Sequence, residues 1–283
     1  MTSFMDEQAR ILRWSGHTDV GRYRSNNEDS FLALQVNGEG VCRFGKYGEA
    51  EMGTNDFVFA VSDGMGGANA GDYASHLVAE QMTQLFPKVF QTQAQGMTVY
   101  FQDVLNELVS NVHEALSKMG KCYSELEGMG ATLSLCWVRS DRLYFAHVGD
   151  SRIYHLNEAS SFNQLSIDHT YIGWLKEKGE ISDYEARNDP RRNILHQVIG
   201  GKTQHLSPQF GELIFGSKDR LLICSDGLVE GLMDTTLKRM LDFPNPTYGG
   251  QSNGLAKTMV DESVREDGKD NTTALCFEVI NAD

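Results

Sequence analysis

Acidic residues stand at the ends of apolar runs in this chain. Val58-Phe59-Ala60-Val61-Ser62 leads into Asp63-Gly64, and Leu221-Leu222-Ile223-Cys224-Ser225 leads into Asp226-Gly227. Tyr144 to Gly149 leads into Asp150, and Asp270-Asn271-Thr272-Thr273 opens the run Ala274-Leu275-Cys276-Phe277. Apolar runs of this length are strands, and strand ends are rigid enough to hold carboxylates together against their repulsion. Such a cluster calls for a cation, and hard oxygen donors suit Mg²⁺ or Mn²⁺. The chemistry implied is that of a metal-dependent enzyme. A single Asp-Gly pair is an ordinary turn signal. Here Glu28-Asp29, Asp63-Gly64, Gly149-Asp150, Asp226-Gly227 and Asp270-Asn271 all fall on strand boundaries, which scattered turns would not produce.

The elements that must carry these groups can be read from periodicity. Trp14 to Leu34 reads as two short strands around a polar turn at Arg24–Asp29, behind a loosely attached leader of residues 1–13. Residues 35–56 are rich in glycine and charge and predict an exposed hairpin or loop. Phe57–Val61 is a buried strand. Two amphipathic helices follow. One carries Ala70, Tyr73, Ala74, Leu77, Val78, Met82 and Leu85 at spacings of three and four; the other runs from Phe101 to Met119. Gly66 and Gly67, just after the Asp63 strand, allow tight turning there. Strands resume at Ala131–Val138, Arg142–Val148 and Arg152–Leu156, the first two joined by a short turn that implies an antiparallel meander. Residues 168–200 are polar and helical in period. Strands return at Glu212–Phe215, Arg220–Ser225 and Thr273–Ile280, with helical stretches between the last two. Antiparallel runs with helices inserted in pairs predict an α+β fold rather than a doubly wound parallel sheet.

Composition narrows the function. The chain has 283 residues and a formal net charge of -14, which disfavours nucleic acid and anionic membrane as partners. A phosphorylated substrate is also an anion, so bound metal would have to reverse the field locally. No apolar run approaches the roughly 20 residues of a membrane span, and the N-terminus lacks a signal-peptide core. The 5 cysteines form no Cys-x-x-Cys pair, and Cys136, Cys224 and Cys276 lie inside apolar runs. They read as buried thiols in a reducing, cytoplasmic setting.

Taken together and in order, Arg24-x-x-Asn27-Glu28-Asp29, the Asp63 to Gly67 run, Gly149-Asp150-Ser151-Arg152, Ser225-Asp226-Gly227 and Asp270-Asn271-Thr272-Thr273 resemble the motifs of the metal-dependent protein phosphatases of type 2C, in their bacterial form. The resemblance spans about Ser15 to Ile280. It implies an α-β-β-α sandwich, two packed antiparallel sheets flanked by helices, as one phosphatase domain over 1–283. The core would span about 15–280, with 168–200 an inserted flap and 35–56 an insertion. It implies two Mn²⁺ or Mg²⁺ ions, with a position for a third, weaker one. By that resemblance Asp63 bridges both ions, Asp226 and Asp270 complete one ion's ligands, and the Gly64 carbonyl binds the other with Glu28 acting through water. Asp29 supports this shell, and Asp150 with Asp226 matches the third position.

The reaction implied is hydrolysis of phosphoserine and phosphothreonine in proteins by in-line attack of a metal-activated water. The partners implied are phosphorylated proteins and an opposing Ser/Thr kinase. Arg24, whose planar fork matches phosphate, is the natural phosphate-binding and catalytic partner of Asp63. Met65 stands where some family members have a proton-donating histidine; a metal-bound water or His169 could take that part. Arg187, Arg191 and Arg192 could meet an acidic phosphopeptide or simply face solvent.

Other classes fit poorly. Gly201-Lys202-Thr203 ends like a P-loop, but His196 stands where the motif needs glycine. Gly149-Asp150-Ser151-Arg152 begins like a nucleophile elbow but runs into Ile153 instead of glycine. A catalytically silent phosphoprotein-binding module would have shed a central aspartate, and all are present. A phosphatase dedicated to one regulator is the remaining alternative, which activity on unrelated phosphopeptides would separate.

Overall fold

The computed structural model describes residues 9–66, 70–94, 100–203, 205–242 and 254–282. Gly67 and most of the expected leader lie outside the described residues. Two antiparallel sheets stack face to face, and helices cover both outer faces.

The first sheet is ordered β10 (Phe162–Gln164), β9 (Arg152–Leu156), β13 (Arg220–Cys224), β14 (Thr272–Asn281), β1 (Arg10–Asp19) and β4 (Tyr47–Glu51). The second is built on β3 (Gly40–Arg43), β2 (Asp29–Asn37), β5 (Asp56–Met65), β7 (Leu133–Arg139), β8 (Arg142–Val148) and β12 (Gln209–Ile214). Short strands β6 (Gly130–Ala131) and β11 (Ile199–Gly200) extend it beside the end of β5. Every strand pair is antiparallel, as the meander at Arg139-Ser140-Asp141 predicts.

Alternation along the central strands divides the core. On β7, Leu133, Leu135 and Trp137 face α1 (Ala70–Ala94) and α2 (Phe101–Cys122), while Cys136 and Val138 face the other sheet. Between the sheets Phe59 stacks on Phe277 with ring centroids 4.2 Å apart. Outside the first sheet α5 (Asp226–Gly231), α6 (Asp234–Asp242) and α7 (Leu255–Glu266) bury Leu228, Leu237, Met259 and Val260 against Leu222 and Cys276. A strand covered on both sides reads as a nearly continuous apolar run, which is why the central strands are legible in sequence.

Three expectations need correction. The leader does not extend to residue 13: β1 starts at Arg10, and Leu12 is fully buried between the sheets. Tyr73, placed by its spacing on the buried face of α1, is exposed, whereas Ala70, Ala74, Val78 and Met82 are buried. The stretch 35–56 is a hairpin only in its first half. β2 turns back into β3 in one sheet, and the chain then crosses to pair β4 with β1 in the other. Phe44, at the crossing, stacks on Trp14 at 4.2 Å and closes that edge of the sandwich.

The segment 168–200 leaves the first sheet after β10 and re-enters the second at β11. It holds two short helices, α3 (Tyr171–Glu177) and α4 (Asp183–Asn188). Thr170 caps α3 by accepting from the Gly173 amide, and Ser182 with Glu185 forms a capping box on α4.

Candidate metal centre

The acidic residues singled out in the sequence converge at one end of the sandwich. Register places Asp29, at the start of β2, directly opposite Asp63, near the end of β5. Like charges in that relation repel. Asp226 starts α5 two residues after β13 ends, Asp270 precedes β14, and Asp150 lies in the tight connection from β8 to β9. Different strands from both sheets thus deliver the set.

Its electrostatics are those of an uncompensated pit. Burial pushes the Asp63 carboxyl well above its ordinary range, and Asp29, Asp226, Asp150 and Asp270 push it further. Burial likewise raises Asp226 strongly, with Asp150 and Asp270 adding to it. Asp150 is raised to about 7, by burial and then by Asp168. Asp29 is raised to about 6 by burial, although hydrogen bonds from Ser225 and Thr273 work the other way. Asp29 Oδ1 and Asp226 Oδ1 are buried with no hydrogen-bond partner. Buried carboxylate oxygens left bare are costly unless a cation or proton serves them.

This donor set, all hard oxygen, fits Mg²⁺ or Mn²⁺. Among the described residues no three acidic, histidine or cysteine side chains are already closed around a common point as a finished ligand group. Two of the carboxylates are occupied elsewhere. Asp270 accepts from Arg24 Nη2 at 2.5 Å, and Asp29 Oδ2 accepts from Ser225 Oγ at 2.7 Å.

Glu28 and the Gly64 carbonyl form a second corner. A Cβ on Gly71, in the first turn of α1, would sit 2.7 Å from Glu28 Oε1 and 2.8 Å from the Gly64 oxygen. Glycine there is what lets the two oxygens approach the same spot. A Cβ on Gly64 would overlap the Gly71 carbonyl. Gly66 has φ +142° and passes so close to Met129 that a Cβ would lie 2.9 Å from its Cα.

The loop from Val20 to Glu28, which carries Arg24, is fixed by Asn271. Its side-chain amide donates to the Val20 and Asn26 carbonyls at 2.9 Å each, and its oxygen accepts from the Glu28 amide at 2.8 Å. Ser225 also donates to Asp29 while accepting from the Thr273 amide at 2.9 Å, tying three strand ends together. Thr132 Oγ1 accepts from the Asp63 amide at 2.9 Å. The sequence alone does not assign these supporting roles. Ser225 and Asn271 lie within the quoted motifs, but nothing in the sequence aims a side chain at a partner some 200 residues away.

The flap base is anchored by a buried ion pair. Arg152 holds Asp168 with both ends of its fork, at 2.6 and 3.0 Å, and also donates to the Tyr154 hydroxyl at 3.0 Å. His169 is not a proton donor in this setting. Burial, with His147 and His196 nearby, lowers it to about 3, and its Nδ1 accepts from the Gly149 amide at 3.3 Å. Met65 has no proton to give. The flap arginines are committed within the fold. Arg187 donates to the Val229 and Glu230 carbonyls at 2.6 and 3.0 Å, Arg191 pairs with Asp189, and Arg192 pairs with Glu230 at 2.9 Å.

An acidic pit at the end of a helix-covered double sheet defines the class of protein, and comparison places the chain within it. The family model for protein phosphatase 2C matches residues 47–260, and the chain belongs to that family. It is 29% identical over 273 residues to the serine/threonine protein phosphatase PstP of Mycobacterium tuberculosis, covering 96% of this chain and 46% of PstP. The chain therefore spans about half the length of that relative. The serine/threonine phosphatase stp of Listeria monocytogenes is 29% identical over 266 residues, covering 89% of this chain and 97% of stp. The crystal structure of PstP/Ppp matches with a TM-score of 0.75 at 26% identity, covering 96% of this chain and 100% of that one. The PstP catalytic domain in complex with two manganese ions matches with a TM-score of 0.73 at 26% identity, over 96% and 100% of the two chains.

Proposed function

We propose that this chain is a metal-dependent protein phosphatase acting on phosphoserine and phosphothreonine. The observation that carries the reading is the group Asp29, Asp63, Asp150 and Asp226, two of them buried and two partly buried, raised together by burial first and by neighbouring carboxylates after it. Its membership of the protein phosphatase 2C family and the two manganese ions of the PstP catalytic domain support the same assignment.

Asp63, Asp226, Asp270 and the Gly64 carbonyl would hold two Mn²⁺ or Mg²⁺ ions, with Glu28 and Asp29 beside them and Asp150 at a third position. Ions bound there would neutralise the pit and acidify water at neutral pH, the chemistry a phosphoester hydrolysis needs.

The chain's own residues supply the rest. Arg24 is half exposed at the rim of the pit, and its position is set by the loop that Asn271 pins. Asp270 keeps it charged and oriented through their hydrogen bond. Exchanging that carboxylate for a phosphoryl group gives the fork a bidentate partner of the same geometry. Charge spread over the phosphoryl oxygens strengthens the contact as the leaving oxygen departs. Met65 has no proton to give and burial favours neutral His169, so the proton for the leaving serine or threonine would come from water, bound at the metal centre or free.

We read the chain as one phosphatase domain, with its core at about 15–280 and 168–200 as the flap. Its substrates are phosphorylated proteins, made by an opposing Ser/Thr kinase. Three buried free thiols, Cys136, Cys224 and Cys276, support a reducing compartment such as the cytoplasm. Among the described residues no helix is long and apolar enough to cross a membrane.

Hydrolysis of an aryl phosphate and a phosphothreonine peptide should vanish in chelator and return with Mn²⁺ or Mg²⁺. Full turnover after the cations are stripped would overturn the assignment.

A further inference from the structure

A cleft of about 360 Å³ opens from the acidic pit between the flap and the α5–α6 corner. Its inner end is formed by Asp150 and Asp226. Arg24, Glu28, Asp63 and Asp270 do not line it. The cleft shares Asp150 and Asp226 with the pit and leaves Arg24 outside its walls, so a substrate held at the pit can extend into it.

The outer walls of the cleft are unlike its inner end. Ile172 and Val229 are buried within it, whereas Tyr184 on α4 is 79% exposed and Met233 before α6 is 61% exposed. Large apolar side chains that exposed, on both sides of one cleft, carry an avoidable solvation cost. Tyr184 is also firmly mounted. Its helix is held by the Ser182–Glu185 capping box, by Asn188 donating to the Tyr184 carbonyl at 2.7 Å, and by Arg187 donating to the α5 carbonyls.

The charges beside these walls are mostly engaged. Arg152 pairs with Asp168, Arg192 with Glu230, and Asp234 accepts from the Tyr154 hydroxyl. Asp150 and Asp226 make the inner end acidic, and that end, where metal ions would sit, is the place for the phosphoryl group itself, although Lys176 and Asp234 also line the cleft. Its volume lies at the small end of the roughly 300–1,000 Å³ of ligand pockets, room for one or two residues of extended chain.

We infer that the outer cleft is a subsite for an apolar side chain of the substrate, within about two residues of the phosphorylated one, seated between Tyr184 and Met233. This rests on the phosphatase reading and specifies the class of phosphoprotein it serves. Tyrosine gives a rigid wall and methionine an adaptable one, which suits leucine, methionine or phenylalanine more than one exact shape.

The test uses the full chain with Mn²⁺ and phosphothreonine peptides differing only in leucine or serine, one and two positions on either side of the phosphothreonine. In one series kcat/KM should favour leucine about tenfold, the discrimination expected for partial burial of such a side chain. Tyr184→Ala, Met233→Ser and the double variant should cut that preference to about threefold or less. Ile214→Ser, on the exposed β12 edge, serves as control and should retain it. Absence of any leucine preference in the unmodified chain, or its survival in the double variant, would overturn the subsite. Aryl phosphate hydrolysis read alongside separates the outcomes: active enzyme without preference sinks the subsite alone, and metal-independent or absent turnover sinks the phosphatase reading itself.

Discussion

Buried carboxylates occur in two settings in this molecule. At the flap base Asp168 is held in a fork by Arg152, which is largely buried, and Gln164 adds a further donor at 2.8 Å. A similar arrangement joins Glu278 to Arg220 at 2.9 Å. There the protein supplies the counter-charge. At the strand ends Asp150 and Asp29 are buried and Asp63 and Asp226 partly buried near one another, and two of their oxygens have no partner. The same residue type is complete in one place and left short of positive charge in the other. The first arrangement secures a segment; the second is what we propose as the place for a cation.

That contrast can be broken at several points. Asp63→Asn should lower turnover on the order of 10⁴-fold, because the central anionic ligand is lost. The metal-free variant should unfold at the same temperature as the parent or higher, since one repelling charge is gone. Near-parental rates at saturating Mn²⁺ would show that the pit is not the metal centre.

Arg152→Ala leaves the largely buried Asp168 charge without its cation, with only Gln164 still donating to it, and should cost about 3 kcal/mol in denaturant unfolding. Replacing both, Arg152→Met with Asp168→Leu, should recover most of that loss. If the double variant is as unstable as the single one, the pair is not what holds the flap base.

Stability against pH should separate the pit from a buried base. Asp29 and Asp150 are raised to about 6 and about 7, so their contribution is fully present below the unfolded carboxylate value near 4 and is lost as pH rises toward 7. His147 is lowered to about 4 by burial, so its contribution is present above about 6.5 and is lost as pH falls through 4. Mn²⁺ should therefore raise Tm by about 5–10 °C at pH 7.5 and by much less at pH 5. Equal shifts at both pH values would contradict the pit's titration.

The smallest effect concerns Arg24. Arg24→Ala should raise KM for an aryl phosphate about 10- to 100-fold, the loss of a charge-assisted contact, while Mn²⁺ affinity changes little. An unchanged KM would remove Arg24 from the phosphate site.

Much of this arrangement is legible in the amino-acid sequence. The central strands are covered on both faces, so they appear as unbroken apolar runs; those of β5, β8 and β13 run into Asp63, Asp150 and Asp226, and Asp270 stands just ahead of β14. Tyr73 misleads because helical spacing alone does not define how wide the buried stripe is. Leu12 and the β1 start are hard to read because Arg10 and Arg13 flank them; the strand hides one residue and shows the next. The 35–56 stretch is only half readable, since which sheet β4 joins depends on Trp14 and Phe44 meeting across the sandwich. By residue type alone His169 could donate a proton. Its burial beside His147 and His196 is a tertiary fact, and it makes the ring a neutral acceptor.

The sequence by itself determined which groups end the strands, because strand periodicity and acidic punctuation are local. Tertiary structure decided which of those groups meet. Asp29 faces Asp63 only through sheet register, and Ser225 and Asn271 find their partners only once both sheets are stacked. Of the flap arginines that could have met substrate, Arg187 is spent on the α5 carbonyls, Arg192 on the Glu230 carboxylate and Arg191 on Asp189 within the flap. Charge placement is written along the chain; charge compensation is a property of the packed whole.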